Sequence, residues 1–94
     1  MAIVMIRHRI EDYARWKKEF DGFVEQRRAG GERAYRVAHA AGDTNNLCLT
    51  FDWDTAANAT NFLESPELAA TMKRAGVCEK PETWIAEELS SGRT

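Results

Sequence analysis

The fold of this chain is decided by residues 3–27, IVMIRHRIEDYARWKKEFDGFVEQR, in which the period of the large apolar side chains changes once. From Ile3 to Ile10 apolar residues occur on both alternating faces, which predicts a strand covered on both sides. From Tyr13 to Arg27 large side chains recur every three or four residues, which predicts an amphipathic helix. Asp12 is the expected N-cap, and Gly30-Gly31 is the expected end of this helical region.

The alternation also assigns side chains to faces. The face of the strand that is expected to meet the helices carries Val4, Ile6, His8 and Ile10, and the other carries Ile3, Met5, Arg7 and Arg9. The helix is expected to bury a stripe of Tyr13, Trp16, Phe20, either Phe23 or Val24, and Arg27. The two patterns together predict a helix that packs on one face of a sheet.

The bulk composition predicts one globular domain over residues 1–94. Hydrophobic residues make up 44% of the chain, and the net charge of -2 comes from well-mixed acidic and basic side chains. No basic stripe indicates nucleic acid, and no apolar run has the length of a membrane span. We therefore expect a cytoplasmic protein with no nucleic-acid or membrane partner.

The two cysteines match no metal-ligand spacing and imply no disulfide framework. Cys48 alternates within a predicted strand and is expected to be a small buried apolar side chain. Cys78 falls in a predicted loop near Lys80. Two interpretations of its thiol are open: it is inert, or its pKa is lowered by the nearby lysine.

Three more strands and a second helical region follow. Asp54-Thr55 is expected to begin the second helical region, Ser65-Pro66 to interrupt and restart it, and Gly76 to end it, because proline fits only the first turn of a helix. A turn is expected at residues 42–46 and a loose tail from residue 90. The strands are predicted at residues 33–41, 47–53 and 82–89.

The resulting order is β-α-β-β-α-β. It predicts an α+β, ferredoxin-like sandwich: a four-stranded antiparallel sheet with two helices on one face. The other face keeps apolar side chains such as Ile3 and Met5. We therefore predict a homodimer in which two sheets pair through these faces.

Several segments, spread over most of the chain, carry a resemblance to a known family. They are Asp12-Tyr13-Ala14-Arg15-Trp16-Lys17 with Phe20, the Asn45-Asn46 turn, Phe51-Asp52-Trp53-Asp54-Thr55, and Phe62-Leu63-Glu64-Ser65-Pro66-Glu67-Leu68. On these residues the chain resembles the dimeric α/β-barrel superfamily, close to the antibiotic-biosynthesis monooxygenase group.

The resemblance implies a range of activities. The superfamily includes cofactor-independent monooxygenases of anthrone-like and quinol-like aromatics, haem-degrading enzymes, small-molecule isomerases or cyclases, and proteins with no known activity. It also implies an active site in the cleft between helices and sheet. Relatives with oxygenase-like chemistry often carry a histidine on the second helix where this chain has Phe62, which disfavours haem ligation there and makes the cleft more apolar.

The candidate catalytic residues are few. His8 is expected near the cleft, where it is either a proton acceptor or a core histidine with a structural partner. Asn61, like Asn58 on the same helix, offers an amide that can hold an oxyanion, and Arg36 offers a guanidinium for the same role. A solvent-facing position for the amides, or a salt bridge for Arg36, is the alternative.

The candidate binding residues are mostly aromatic. As a set they line a pocket for a flat ligand or form ordinary core. His39 could meet His8 if the strands share register, but a metal site would lack a third ligand, so no metal is predicted. The candidates are Tyr13, Trp16, Trp53, Phe62, Trp84 and His39.

Two functions are open, the first implied by the family resemblance and the second favoured by the small number of candidate polar residues. The first is a cofactor-independent monooxygenase of an aromatic or polyketide-like molecule, in which His8 assists deprotonation and Asn61 or Arg36 stabilises the anion. The second is a non-catalytic dimeric protein that binds a small hydrophobic molecule in the same cleft. A purely structural module without a ligand is a third possibility.

Overall fold

Four strands form one antiparallel sheet in the order β2-β3-β1-β4. The computed structural model describes residues 1–94. Its strands are β1 (Ala2–Arg9), β2 (Glu32–Ala40), β3 (Asp43–Trp53) and β4 (Glu82–Glu87). This order, with β1 and β3 at the centre, is the one expected for the predicted ferredoxin-like arrangement, and the α+β fold class is confirmed.

Four helices cover one face of the sheet. Three of them have the predicted N-caps: a side-chain oxygen of Asp12, Thr55 or Ser65 accepts a backbone N–H from the first turn of α1, α3 or α4. None of the helices is long and apolar enough to cross a membrane. The helices are α1 (Tyr13–Gly22), α2 (Val24–Gly30), α3 (Ala56–Leu63) and α4 (Pro66–Arg74).

The first helical region is divided into α1 and α2 at Phe23, whereas the sequence predicted one continuous helix. In a continuous helix the carbonyl of Phe20 would accept the N–H of Val24. Here that carbonyl accepts from the backbone N–H of Phe23 at 3.2 Å and from a guanidinium N–H of Arg27. Gly22 precedes the break and weakens the helix further. Phe23, rather than Val24, is the buried residue.

Two strand boundaries also differ from the prediction. The β2–β3 turn is only Ala41-Gly42, with Gly42 at φ 82°, and β3 begins at Asp43 rather than at Leu47. β4 ends at Glu87, which pairs with Ala2, the first residue of β1. Residues after Glu87 therefore have no residue of β1 with which to pair. A pattern of alternation does not report where the partner strand ends.

The helix-side face of the sheet holds the core. The central strands bury alternate residues there, and Trp16, Phe20 and Ala59 cover them from the helices. The prediction that Cys48 is buried is wrong: it is exposed, because it lies between Leu47 and Leu49 and so points to the opposite face. The buried residues of the central strands β1 and β3 are Ala2, Val4, Ile6, His8, Leu47, Leu49, Phe51 and Trp53.

The opposite side of the sheet, which we call the open face, has no helix over it. Met5 pairs with Trp84 and Ile3 pairs with Ala86 in neighbouring positions of β1 and β4. Trp84 is 50% exposed and Met5 is 38% exposed. The open face therefore presents apolar surface across the central strand β1 and the edge strand β4.

Candidate functional site

An apolar cavity lies between the helices and the helix-side face of the sheet. The cavity volume is about 60 Å³, and the larger empty space of about 560 Å³ includes open solvent beyond its mouth. The strands supply Val4, Ile6, His8, Leu49, Phe51 and Trp53 to its wall, and the helices supply Trp16, Phe20, Phe23, Phe62, Leu68 and Met72 among others. Such a cavity favours a ligand with a flat apolar body.

His8 is the polar group that β1 contributes to this cavity. It is 3% exposed and lies on the helix side, as its place in the alternation predicts. The indole N–H of Trp16 donates to Nε2 of His8 at 3.2 Å, and the two rings meet edge to face with centroids 6.0 Å apart. Nδ1 of His8 is buried and has no hydrogen-bond partner.

This hydrogen bond assigns the tautomer of His8. Because Nε2 accepts the Trp16 N–H, the proton of the neutral imidazole is placed on Nδ1. Burial, and to a smaller extent the positive charge of Arg7, lowers the pKa of His8 from 6.5 to about 4. At neutral pH the ring is therefore uncharged and offers an unused N–H donor.

The long wall of the cavity is a stack of rings. Trp16 stacks on Phe20 at 4.7 Å between centroids, and the Arg27 guanidinium lies 3.7 Å from the centroid of Phe20. On another side Trp53 packs against Phe62 at 5.1 Å, and its indole N–H donates to the Gly30 carbonyl at 2.9 Å. Two aromatic rings thus separate His8 from Arg27.

Arg27 and Glu32 form a buried ion pair in the cavity wall, which sequence reasoning missed as a functional feature. Nε of Arg27 lies 2.9 Å from Oε1 of Glu32, and the residues are 4% and 8% exposed. Burial raises the pKa of Glu32, although the charge and hydrogen bond of Arg27 act in the opposite direction. The sequence did contain a signal for this ion pair. Arg27 lies on the helical stripe that is predicted to face the core, and a buried charge needs a partner of opposite charge.

The structure brings together His8, Trp16, Trp53 and Phe62 at the cavity. Tyr13 lies outside it: the ring stacks on Trp16 at 6.0 Å but is 45% exposed. Sequence periodicity placed Tyr13 on the helical stripe, but it is the first residue of α1 and its ring remains largely exposed.

His39 shares the helix-side face with His8, and the register that would align them is present. Leu47 pairs with both residues and stands between them. His39 is exposed on the edge strand, where its Nδ1 lies 3.0 Å from the carbonyl oxygen of Ala40. The two imidazoles therefore do not meet, and no group of three side chains suited to a metal ion is present.

Trp84, Arg36 and Asn61 do not reach the cavity. Trp84 and Arg36 belong to the open face, because Trp84 pairs with Met5 and Arg36 pairs with Thr50. Arg36 is exposed and makes no salt bridge, and Asn61 is exposed on α3. The expectation that these residues border the cleft is not met, because face assignment on the outer strands and on a helix depends on packing that alternation alone does not supply.

Asn58, the other amide on α3, also has a structural role. Its side chain donates to both carboxylate oxygens of Asp54, at 3.2 and 3.1 Å. This bond ties the first turn of the helix to the residue after β3, so the amide is not free for an oxyanion.

The ferredoxin-like sheet with an aromatic cavity under its helices defines the general class of the fold. Comparison with solved structures defines the fold more closely. No protein-family model and no curated protein matches the sequence. The chain does share the fold of solved antibiotic-biosynthesis-monooxygenase-like structures. The resemblance predicted from the sequence is confirmed at the level of fold.

Three solved structures illustrate the likeness. SnoaB, a cofactor-independent oxygenase from Streptomyces nogalater, superposes with a TM-score of 0.76 at 11% identity, over 96% of this chain and 94% of that one. An antibiotic biosynthesis monooxygenase gives 0.70 at 14% identity, over 96% and 100%. Rv0793 from Mycobacterium tuberculosis gives 0.68 at 16% identity, over 98% of each chain. At such low identities the likeness concerns the fold alone.

Proposed function

We propose that this protein binds a flat, oxygen-bearing aromatic molecule in its cavity and oxygenates it with dioxygen, without metal or organic cofactor. The cavity has aromatic walls that suit a flat ring system. One protein of the same fold, SnoaB, is a cofactor-independent oxygenase. The fold and the shape of the site support the same class of reaction here.

The observation that carries the proposal is the unpartnered Nδ1 of His8. A buried N–H without an acceptor costs about 1–3 kcal/mol. A ligand oxygen in the cavity removes this cost by accepting the hydrogen bond. His8 therefore supports recognition of a carbonyl or phenolic oxygen on the aromatic ligand.

The reaction we propose oxidises a ring methylene beside a carbonyl. The substrate loses a C–H proton to water, and its enolate oxygen accepts the Nδ1–H of His8. The carbanion gives its electrons to dioxygen, a C–O bond forms, and the protonated peroxide loses water to leave a ketone. One methylene and one O₂ thus become one carbonyl and one H₂O, with all four electrons supplied by the substrate.

His8 enters this scheme as a hydrogen-bond donor rather than as the base predicted from the sequence. Its Nε2 is occupied by the indole N–H of Trp16 at 3.2 Å. A pKa near 4 also makes the ring a poor proton acceptor at neutral pH. The anion-stabilising role expected of Asn61 or Arg36 passes to His8, because those two residues lie outside the cavity.

A non-catalytic binding protein is the second candidate. It is favoured by the same hydrogen bond, since a neutral imidazole whose Nε2 is engaged can hold a ligand without activating it. In that case the ligand leaves the cavity unchanged.

Anthrone is the probe that separates these functions. Under nitrogen, the binding of anthrone is measured by the quenching of tryptophan fluorescence, because Trp16 and Trp53 line the cavity. In air with EDTA present, we expect oxygen uptake and anthraquinone formation in equal amounts, above the rate of spontaneous oxidation without protein. Quenching without added uptake supports the binding protein. Absence of quenching overturns both.

We also propose a homodimer formed through the open face. Trp84 and Met5 are half to one-third exposed there, and Leu89, just beyond β4, is fully exposed. Pairing two such faces would remove this apolar surface from water. The cytoplasmic location expected from the sequence stays a prediction; two cysteines outside any disulfide are consistent with a reducing compartment.

A further inference from the structure

We infer that Arg27 and Glu32 form a second polar end of the cavity, where Glu32 takes the proton of a ligand hydroxyl and Arg27 holds the oxyanion left behind. This inference rests on the proposed aromatic ligand and names its chemistry more closely. The ligand is a polycyclic phenol whose hydroxyl lies at the end of the ring system remote from His8.

Both side chains have unused polar atoms. Arg27 donates through Nε to Oε1 of Glu32 at 2.9 Å and through Nη1 to the carbonyl of Phe20. Nη2 of Arg27 and Oε2 of Glu32 make no hydrogen bond within the protein. The two residues nevertheless line the cavity and are more than nine-tenths buried. A free donor and a free acceptor thus belong to adjacent side chains in an apolar wall.

A hydroxyl matches this arrangement better than other groups do. The pair as a whole is neutral, so it does not attract a ligand with a full charge of either sign. A hydroxyl can donate to Oε2 of Glu32 and accept from Nη2 of Arg27 at once. Hydrogen bonds to charged partners are the strong ones, and in a largely buried wall they select sharply for a ligand that makes both.

The pair also suits proton transfer. The O–H bond of the ligand breaks, its proton moves to Oε2 of Glu32, and the oxyanion then accepts from Nη2 of Arg27. No electron is transferred and the summed charge of the three groups is unchanged, so little new charge is buried. A phenolate at this position is electron-rich and gives electrons to dioxygen more readily than the phenol.

The proton has a route to solvent. Glu32 lies in the wall of the cavity and also borders a surface groove formed with Val24, Arg28, Arg33, Ala34 and Tyr35. Burial raises the pKa of Glu32, and the charge and hydrogen bond of Arg27 act in the opposite direction. Of the nearby charges, Arg28 is paired with Glu25 and Arg33 with Asp54, so Arg27 is the one that faces the carboxylate directly.

The spacing of the cavity sets the size of the ligand. Trp16 and Phe20, stacked at 4.7 Å, lie between His8 and Arg27. A ligand that reaches both polar ends must extend past two rings. Fused polycyclic phenols with a ketone at one end and a hydroxyl at the other have this form.

The test compares two probes that differ by one group, 2-hydroxyanthraquinone and anthraquinone. Each is titrated by tryptophan quenching, and the hydroxylated probe is also followed by absorption, which distinguishes phenol from phenolate. We expect the wild-type protein to show the phenolate band at a pH where the free probe is still the phenol. We expect it to prefer the hydroxylated probe by about tenfold or more.

The variants are E32Q and, as a matched control, E25Q. In E32Q the amide oxygen can still accept from Nε of Arg27, but the side chain cannot take a proton. The phenolate band should therefore disappear, while the affinity for anthraquinone stays within about threefold of wild type. Glu25 is exposed and paired with Arg28 at 2.7 Å on the same helix as Arg27, and its replacement should change neither measurement.

Three results would overturn the inference. One is a phenolate band that survives in E32Q, and another is equal wild-type affinity for the two probes. The third is that neither probe binds, which removes the proposed aromatic ligand as well. Binding of both probes with no oxygen uptake from anthrone contradicts only the oxygenase and leaves the hydroxyl site standing.

Discussion

The indole N–H of Trp16 and the imidazole Nε2 of His8 are joined by a hydrogen bond of 3.2 Å inside the cavity wall. This bond fixes the ring orientation of His8 and leaves its proton on Nδ1, where the protein supplies no acceptor. Because of this contact between His8 of β1 and Trp16 of α1, the cavity presents a hydrogen-bond donor. The roles of donor and base can be separated experimentally.

If His8 acts as a donor, H8Q and H8L will differ. The glutamine oxygen can accept the Trp16 N–H while its NH₂ group still faces the ligand, so we expect H8Q to retain kcat/KM for anthrone within about tenfold. Leucine removes the donor, and a loss of about 10²–10³-fold is expected, as for an oxyanion-hole donor. Oxygen uptake measures both. Equal, severe losses in the two variants would instead restore the general-base role.

The matched control for this series is H39Q. His39 is the other histidine of the chain and is exposed on the edge strand, away from the cavity. We expect wild-type kcat/KM in H39Q. A loss comparable to that of H8L would contradict the placement of the site.

The lowered pKa of His8 predicts acid-sensitive stability. The folded-state pKa is about 4, whereas the unfolded-state value is near 6.5. Between these pH values the unfolded chain binds more protons, so the free energy of unfolding should fall as the pH drops from about 6.5 to about 4, by up to about 3 kcal/mol.

Urea unfolding of wild type and H8Q between about pH 4 and pH 7 measures this effect. The wild-type curve should lose more stability toward acid than the H8Q curve, since glutamine does not titrate. The raised pKa of Glu32 acts with the opposite sign, because the folded state then binds the extra proton, but it is common to both proteins. Parallel pH dependences would show that His8 is not held neutral by the fold.

Removal of Arg27 should be strongly destabilising and pH-dependent. R27M leaves the carboxylate of Glu32 buried without its cation, and we expect a loss of about 3–5 kcal/mol near pH 8. The loss should be smaller near pH 5, where Glu32 can take a proton. E32Q keeps the hydrogen bond from Nε but leaves the buried Arg27 charge without a counter-ion, so it should also cost about 3–5 kcal/mol, with no relief at pH 5 because arginine stays protonated.

Urea unfolding at the two pH values checks this prediction. A loss of the same size at both in R27M would mean that Arg27 stabilises the protein mainly by packing on Phe20, 3.7 Å from its ring centroid. The double variant R27M/E32L should recover part of the stability, since two apolar side chains need no charge partner.

The open face predicts a dimer that one charge can prevent. Trp84 on the edge strand β4 is 50% exposed beside Met5 of the central strand β1 on that face. We expect light scattering after gel filtration to give twice the chain mass for wild type and a single chain mass for W84E, because a buried unpaired carboxylate is costly. A69E, on the exposed side of α4, is the control and should remain a dimer. A monomeric wild type at micromolar concentration would contradict the prediction.

Prediction from the sequence succeeded where one local pattern is sufficient. The alternation of β1 placed His8 on the helix side, and Asp12, Thr55 and Ser65 cap the helices that follow them. It failed where a particular side-chain contact or strand pairing decides. At the break the Phe20 carbonyl accepts from the guanidinium of Arg27, a contact that periodicity does not report, and Trp84 belongs to the open face because of its register with Met5.

The sequence by itself determined the order of elements, the helix caps and the side of β1 that faces the core, since each depends on residues close together in the chain. Only the tertiary structure decided which nitrogen of His8 carries the proton and that Arg27 and Glu32 share the cavity wall. The physical reason is that hydrogen bonds and burial depend on which side chains become neighbours in space. Periodicity in a single strand or helix specifies a face of that element, not the atoms that it will meet.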